Sequence, residues 1–309
     1  VNAPRVSSSI LEAIGNTPLL NLEGLWLKLE YLNPSGSIKA RMARYIIERA
    51  EREGLLKPGD TIVEASSGNT GNAMSMVAAV KGYRMIVVTP EGLSPERAAI
   101  TTAFGAELHQ VGDFHVNEAL EVVAQFASRP GHFAPRQFEN EWNVEENRTW
   151  LGAEILDQLG DARVPDAFVM GVGTGGTLIG VGQALRAANP AVLLVALEPA
   201  ESCTIQCGDV NLHQIEGIAD GFVPALYAHH RDLVDRVVAV HSDDAIAEMR
   251  HLAQGHGLLV GPSSGANVVA ARRLREELGP EAVVVTVLCD EGEKYLSEYF
   301  GPPNVAPRA

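Results

Sequence analysis

The apolar run AFVMGV (167–172) gives way to the glycine-rich GTGGT (173–177), and the helix-like LIGVGQALRAAN follows at once. A strand that ends in glycines and feeds a helix presents main-chain N–H groups at the positive end of that helix, which is a phosphate site. Gly173, Gly175 and Gly176 carry no side chain that would hold an anion away from the backbone. Gly171, Gly173 and Gly176 also spell GxGxxG, and Glu198 lies about twenty residues beyond, as in a dinucleotide-binding unit. An NAD-dependent oxidoreductase is therefore one candidate owner of the phosphate.

The neighbouring pattern sets the fold class. TIVEA (61–65), RMIVVT (84–89), AELHQV (106–111), AFVMGV (167–172), LLVAL (193–197), RVVAVH (236–241) and VVVTVL (283–288) read as strands, and LLV (258–260) as a strand end. They are apolar runs rather than alternations, as expected of parallel strands covered on both faces. Helical patterns lie between most of them, such as 38–53, stopped by Gly54 and Pro58. The expected class is α/β and doubly wound, with two sheets and a crossing point in the Pro- and Gly-rich segment 129–147.

Composition narrows the partners. With 39 acidic against 24 basic residues the formal charge is −15, which disfavours nucleic acid and anionic membranes. No apolar run approaches the roughly eighteen residues of a membrane span, and VNAPRVSSS does not read as a secretory leader. The three cysteines, Cys203, Cys207 and Cys289, form a sparse, odd set that suits a reducing compartment. The expectation is a soluble, cytoplasmic protein. Cys203, Cys207 and His213 lack a standard zinc spacing, so no metal site is expected.

Two more segments carry chemistry. In NPSGSIKAR (33–41), Ser37 is a candidate N-cap that places Lys39 in the first helical turn. A helix start repels an ammonium, and burial in a cleft would depress the amine further, favouring Schiff-base chemistry. In EASSGNTG (64–71), Ser66, Ser67, Gly68, Asn69 and Thr70 make a second anion loop between a strand and a helix. A third helix opens at Ser263–Ser264 in GPSSGAN.

At these residues the sequence resembles the fold-type II pyridoxal-phosphate enzymes, specifically the cysteine synthase and cystathionine β-synthase family. The matching segments are IGNTPL (14–19), KLEYLNPSGSIK (28–39), SSGNTG (66–71), QFEN (137–140), GTGGT (173–177), IEGIADGFVP (215–224), GPSSGA (261–266) and DEGEKYLS (290–297). They stand in family order over nearly the whole chain. The resemblance implies a tryptophan synthase β-like fold of two doubly wound domains. Residues 33–141 would form the smaller domain that binds the substrate carboxylate. Residues 142–309, with 1–32, would form the larger domain that binds the cofactor phosphate.

It also implies roles. Lys39 would hold the cofactor aldehyde and, once released, take the α-proton. Asn69 would bond the phenolic oxygen; Gly173, Thr174, Gly175, Gly176 and Thr177 would cradle the phosphate; Ser263 would meet the pyridine nitrogen. Ser66, Ser67, Asn69, Thr70 and Gln137 would hold the substrate carboxylate, with Gly217 in the loop facing it. A serine at the ring nitrogen makes a weaker electron sink than an acid would, which suits β-elimination to an α-aminoacrylate followed by addition of a nucleophile. The implied reaction is O-acetylserine plus sulfide giving L-cysteine and acetate. A homodimer is implied as well, and docking of a partner such as serine acetyltransferase is left open.

Departures from the family pattern cluster near the substrate: Ala40, Ser66, Glu141, Trp142, Asn147 and Leu151–Glu154. Ala40 is shared with the serine/threonine dehydratases, which leaves a dehydratase, a cystathionine β-synthase-like reaction or another nucleophile open. Glu216 stands where phosphoserine-using relatives place arginine, and a carboxylate there would repel a phosphate leaving group.

Overall fold

The computed structural model describes residues 6–66, 68–91, 94–112, 116–160 and 163–301. The chain opens with a hairpin, Leu19–Leu22 (β1) against Leu25–Leu29 (β2), paired antiparallel. Its two-residue turn, Glu23 (φ 51°) and Gly24 (φ 84°), has both residues left-handed, as a type I′ turn needs. Glu-Gly is a weak signal for that turn, and the hairpin was absent from the expected strands.

Next come α1 (Lys39–Arg52), β3 (Thr61–Ala65), α2 (Asn69–Lys81), β4 (Arg84–Thr89), α3 (Pro95–Ala103), β5 (Glu107–Gln110), α4 (Asn117–Ala127) and the two-residue β6 (His132–Phe133). Their strands form a four-stranded parallel sheet in the order β5-β4-β3-β6. The chain then crosses through α5 (Glu141–Glu146), a π-helical stretch Asn147–Gly152 and α6 (Ala153–Leu159). Beyond it lie β7 (Ala167–Gly171), α7 (Gly176–Ala188), β8 (Leu193–Pro199), α8 (Ala225–His229), β9 (Arg236–Val240), α9 (Ser242–His256), α10 (Pro262–Leu278) and β10 (Val284–Leu288). These strands join the hairpin in a six-stranded sheet, β1-β2-β10-β7-β8-β9, parallel except for β1.

Every residue of β3, β7 and β10 is buried, because helices cover both faces. All seven expected strands form, within a residue or two. The segment 258–260 does not: Val260 makes only an isolated bridge to Glu291, since the turn into α10 leaves no neighbouring strand for it. Ser37 is not an N-cap; α1 begins at Lys39 after Ile38, and Ser37 instead bridges the backbone of Asp290. Cys203 and Cys207 are joined in a disulfide across one turn, against the expectation drawn from a sparse cysteine set, while Cys289 is free and buried. Among the described residues no helix is long and apolar enough to cross a membrane.

A buried charge cluster joins β2 and the N-terminal segment to α1 and α6. Arg41, on α1, forks onto Glu30 at 2.7 and 2.8 Å and onto Glu154 at 2.9 and 3.0 Å. Lys28 donates to Glu154 at 2.6 Å, to Gln158 at 2.8 Å and to the Thr17 carbonyl at 2.6 Å. Two buried cations thus meet the buried Glu30 and the largely buried Glu154. Replacing Arg41 by Met leaves Glu30 buried without its counter-ion, and we expect a loss of about 3–5 kcal/mol in urea unfolding. The exposed Arg273–Asp244 pair (2.7 Å) serves as control; Arg273→Ala should cost less than about 1 kcal/mol.

Candidate active site

Three helix N-termini open on one cleft lined by Lys39, Ser66, Asn69, Thr70, Gln137, Gly173, Thr174, Gly175, Thr177, Gly217 and Ser263. Those of α2, α7 and α10 each direct first-turn N–H groups, which have no partner within the helix, toward it. The cleft lies between the two sheets, with α2 following β3 of one and α7 following β7 of the other. Ser67 lies outside the described residues. The remaining expected site residues are brought together here, Gly176 as the first residue of α7.

The loop before α7 is shaped for close approach. Gly175 takes φ 84°, and a Cβ at Gly173 would come within 2.5 Å of the Gly217 carbonyl. A Cβ at Gly176 would overlap the side chain of Asn143. Thr174 Oγ1 accepts from Gly176 N at 3.2 Å and from Asn143 Nδ2 at 3.0 Å, leaving its hydroxyl hydrogen for an acceptor in the cleft. This cradle of small residues, free N–H groups and a hydroxyl fits a phosphate ester.

The loop before α2 is organised differently. Ser66 Oγ accepts from Gly68 N (3.0 Å) and Gly71 N (2.9 Å), so its hydrogen remains to donate. Thr70 Oγ1 donates to Gln137 Oε1 at 2.6 Å, and Gln137 Nε2 donates to the Ala65 carbonyl at 2.9 Å. Gln137 is held in place from the main chain, its N–H reaching the buried Glu64 at 3.2 Å. A carboxylate at this loop would meet hydroxyl, amide and helix-end donors together.

Lys39 begins α1 on the floor of the cleft. Desolvation depresses its amine below the usual ammonium range, opposed in part by the acidic side chains of Asp220 and Asp290 nearby. Burial is the chief cause, so the mechanism foreseen from the helix end operates mainly through the cleft itself. The lowered value leaves a larger share of neutral, nucleophilic amine.

Several contributors escaped the sequence argument. Asn143 donates to the Gln137 carbonyl at 2.9 Å as well as to Thr174, coupling the two anion loops. Asn147 supports it, donating to the Asn143 carbonyl at 2.8 Å. Asp220 adds a carboxylate to the cleft wall. Arg97 lines the cleft too, ion-paired with Glu216 and, at 3.4 Å, with Glu298. The charge of Glu216 is thereby matched, which weakens the expected repulsion of a phosphate leaving group. Trp142 is not part of the cleft lining; it packs under the Arg49 guanidinium, 5.0 Å from the ring centroid. Ala40 is buried in the core beneath α1.

Glu198 is unavailable to a dinucleotide ribose. It is buried and accepts from Ile205 N (2.7 Å), Gln206 N (3.2 Å) and Gln206 Nε2 (3.0 Å), tying down the loop after β8. His213 is likewise structural, bonded to Ala219 O at 3.2 Å and to Ile215 N at 3.2 Å.

Residues 10–290 match the family model described as pyridoxal-phosphate dependent enzyme. The chain belongs to that family. It is 40% identical over 304 residues to a cysteine synthase of Staphylococcus aureus, covering 96% of this chain and 97% of the relative. To the O-ureido-L-serine synthase of Streptomyces lavendulae it is 39% identical, covering 95% and 92%. The crystal structure of an O-ureido-L-serine synthase superposes with a TM-score of 0.91 at 38% identity, covering 98% of each chain. A cysteine synthase structure from Entamoeba histolytica gives 0.89 at 33%, covering 99% and 95%. The fold is thus that of the fold-type II enzymes, and the protein depends on pyridoxal phosphate. The NAD reading of GxGxxG is set aside.

The family's cofactor fits the residues present. The cradle at 173–177 would accommodate its phosphate, and Lys39 is a desolvated amine within the same cleft.

Glu146, buried beside the Lys39 floor with neither carboxyl oxygen hydrogen-bonded, is pushed up from 4.5 to about 8, chiefly by desolvation. A raised carboxyl pKa means the folded state holds a proton that the unfolded chain has released. Stability should therefore fall as pH rises from about 4.5 to about 8. Glu146→Gln should flatten that decline in urea unfolding of the cofactor-free protein and leave stability below pH 4.5 nearly unchanged.

Proposed function

We propose that the protein exchanges the β-substituent of an O-activated serine, with O-acetylserine as donor and sulfide as acceptor, yielding L-cysteine and acetate. The observation that carries it is the convergence of two anion-binding helix ends, α2 and α7, on one cleft that also holds Lys39. An amino-acid carboxylate and a cofactor phosphate would each meet one helix end, in a cleft that Lys39 also lines. The similarity to cysteine synthase over nearly the whole chain supports the choice of reaction.

Pyridoxal phosphate, when bound, supplies an electron-withdrawing ring that lets the substrate lose its Cα proton and its β-leaving group. The protein supplies the rest. Gly173–Thr177 would hold the phosphate, Lys39 would anchor the aldehyde carbon, and Asn69 would meet the phenolic oxygen. Ser66, Thr70 and Gln137 fix the substrate carboxylate, with Ser67 assigned beside them from the resemblance. Lys39 Nζ, its affinity for a proton lowered by burial, takes the proton from Cα. Ser263, at the positive end of α10, would offer the ring nitrogen a neutral hydroxyl rather than a carboxylate.

The two anions sit on different sheets, so their binding should draw segment 33–141 toward the rest of the chain and exclude water from the reacting carbons. A homodimer, a cytoplasmic location and docking of serine acetyltransferase belong to the same proposal, on the strength of the family resemblance.

Purified holoenzyme given O-acetylserine and sulfide should release acetate and form cysteine. Lys39→Ala should still bind cofactor through the glycine loop and lose at least about a hundredfold in turnover. Acetate release without cysteine would assign a different acceptor. Activity with serine or O-phosphoserine, and none with O-acetylserine, would overturn the donor. Small-angle scattering of the holoenzyme should show compaction on adding a non-reactive amino acid; identical curves would rule out closure.

A further inference from the structure

The Asn69 carboxamide is gripped on both sides by residues outside the cleft lining. Its Oδ1 accepts from Lys294 Nζ at 3.0 Å, and its Nδ2 donates to Asp290 Oδ2 at 2.6 Å. Lys294 is fully buried, and its other two close acceptors are the carbonyls of Ser35 (2.8 Å) and Gly36 (3.1 Å), in the turn that delivers Lys39. Asp290 Oδ2 also accepts from the Tyr295 hydroxyl at 2.6 Å. The Asp290 backbone bridges Ser37, two residues before Lys39.

This arrangement fixes which way the amide points. Reversing it would set an NH₂ group against an ammonium and an oxygen against a carboxylate, so only one orientation is tolerated. With Oδ1 committed to Lys294 and one Nδ2 hydrogen committed to Asp290, the second Nδ2 hydrogen is left for the cleft. An ammonium on Oδ1 also draws electron density from the amide nitrogen, which strengthens that remaining donor. Burying a lysine is costly unless all its protons find acceptors, and here three are supplied, one of them Asn69.

We propose that Lys294 and Asp290 are positioning residues that lock Asn69 with an N–H, never its oxygen, toward the phenolic oxygen of the cofactor, thereby favouring the ionised form of that oxygen. This rests on the assignment of Asn69 to the phenolic oxygen made above, and it is independent of the donor and acceptor. The Ser35 and Gly36 carbonyls take the other two protons of the same lysine and so hold its ammonium in place against Asn69.

The test uses four holoenzymes without substrate: wild type, Asn69→Ala, Lys294→Met and the double variant. The readouts are the visible absorption band as a function of pH and the equilibrium affinity for pyridoxal phosphate. Asn69→Ala should change the pH profile of the band, and Lys294→Met should change it in the same direction. Lys294→Met should weaken cofactor affinity about three- to tenfold, the loss of one hydrogen bond. The double variant should shift the band no further than Asn69→Ala alone, because the lysine acts through the amide. A folded Lys294→Met holoenzyme with the wild-type profile overturns the proposal, as does an additive shift in the double variant. An unchanged profile in Asn69→Ala would refute the phenolic-oxygen assignment and the proposal with it, while leaving the acetate and cysteine assays to judge the reaction. Should Lys294→Met fail to fold, Tyr295→Phe reads the network from its other end. A shift in the direction of Asn69→Ala supports the clamp, and a wild-type profile overturns it.

Discussion

The site depends on a cluster of ions that never meets it. Arg41 and Lys28, paired with Glu30 and Glu154, fasten the start of α1 to β2, to the N-terminal loop at Thr17 and to α6. Asn33 joins the cluster, donating to Glu30 and accepting from Gly15 N at 2.9 Å. The turn between Asn33 and Lys39 is thus anchored at one end by buried charge and at the other by Lys294. A flexible four-carbon side chain is useful for covalent chemistry only if its backbone is fixed, and here the fixing is electrostatic in a medium where each mismatch costs several kcal/mol.

Opposite signs of charge serve different scales in this molecule. The chain carries a formal −15, yet its cleft gathers the positive ends of three helices. Net charge acts at long range through solvent and is screened within about 10 Å at ordinary salt. Helix ends, oriented amides and hydroxyls act within a few ångströms and away from water. The acidic surface therefore places no bar on a phosphate and a carboxylate, because α2, α7 and α10 bring their N-termini to the same place.

Much of this was legible in the residues. The strand runs were apolar because parallel strands are covered on both sides, and the two anion loops were marked by glycine, serine and threonine at strand-to-helix joints. What escaped notice had no strong local signature. The β1–β2 hairpin turns on Glu-Gly rather than Asn-Gly or Asp-Gly, and β6 is only two residues long. Ser37 had the chemistry of a cap but was drawn instead into a backbone bridge with Asp290. Glu198 fitted a dinucleotide fingerprint by spacing, whereas its carboxylate is consumed by the backbone of residues 205 and 206. Asn143 looked like one asparagine among several, and only the packing of α5 against α7 shows it coupling Thr174 to Gln137.

The sequence by itself determined the class of fold and marked the glycine loop 173–177, the loop 66–70 and Lys39, which the structure brings to one cleft. Each of these is set by residue type within a short stretch: glycine where a backbone must be bare, hydroxyls and amides where an anion must be met, an apolar run where a strand is enclosed. The tertiary structure alone decided how those groups are oriented. Whether Asn69 offers a donor or an acceptor depends on Lys294 and Asp290, more than two hundred positions away along the chain. Whether Glu216 stands as a bare charge depends on Arg97, brought to it from α3. Orientation and charge state are properties of an environment, and for buried polar groups that environment is assembled from distant segments by the packing of two sheets.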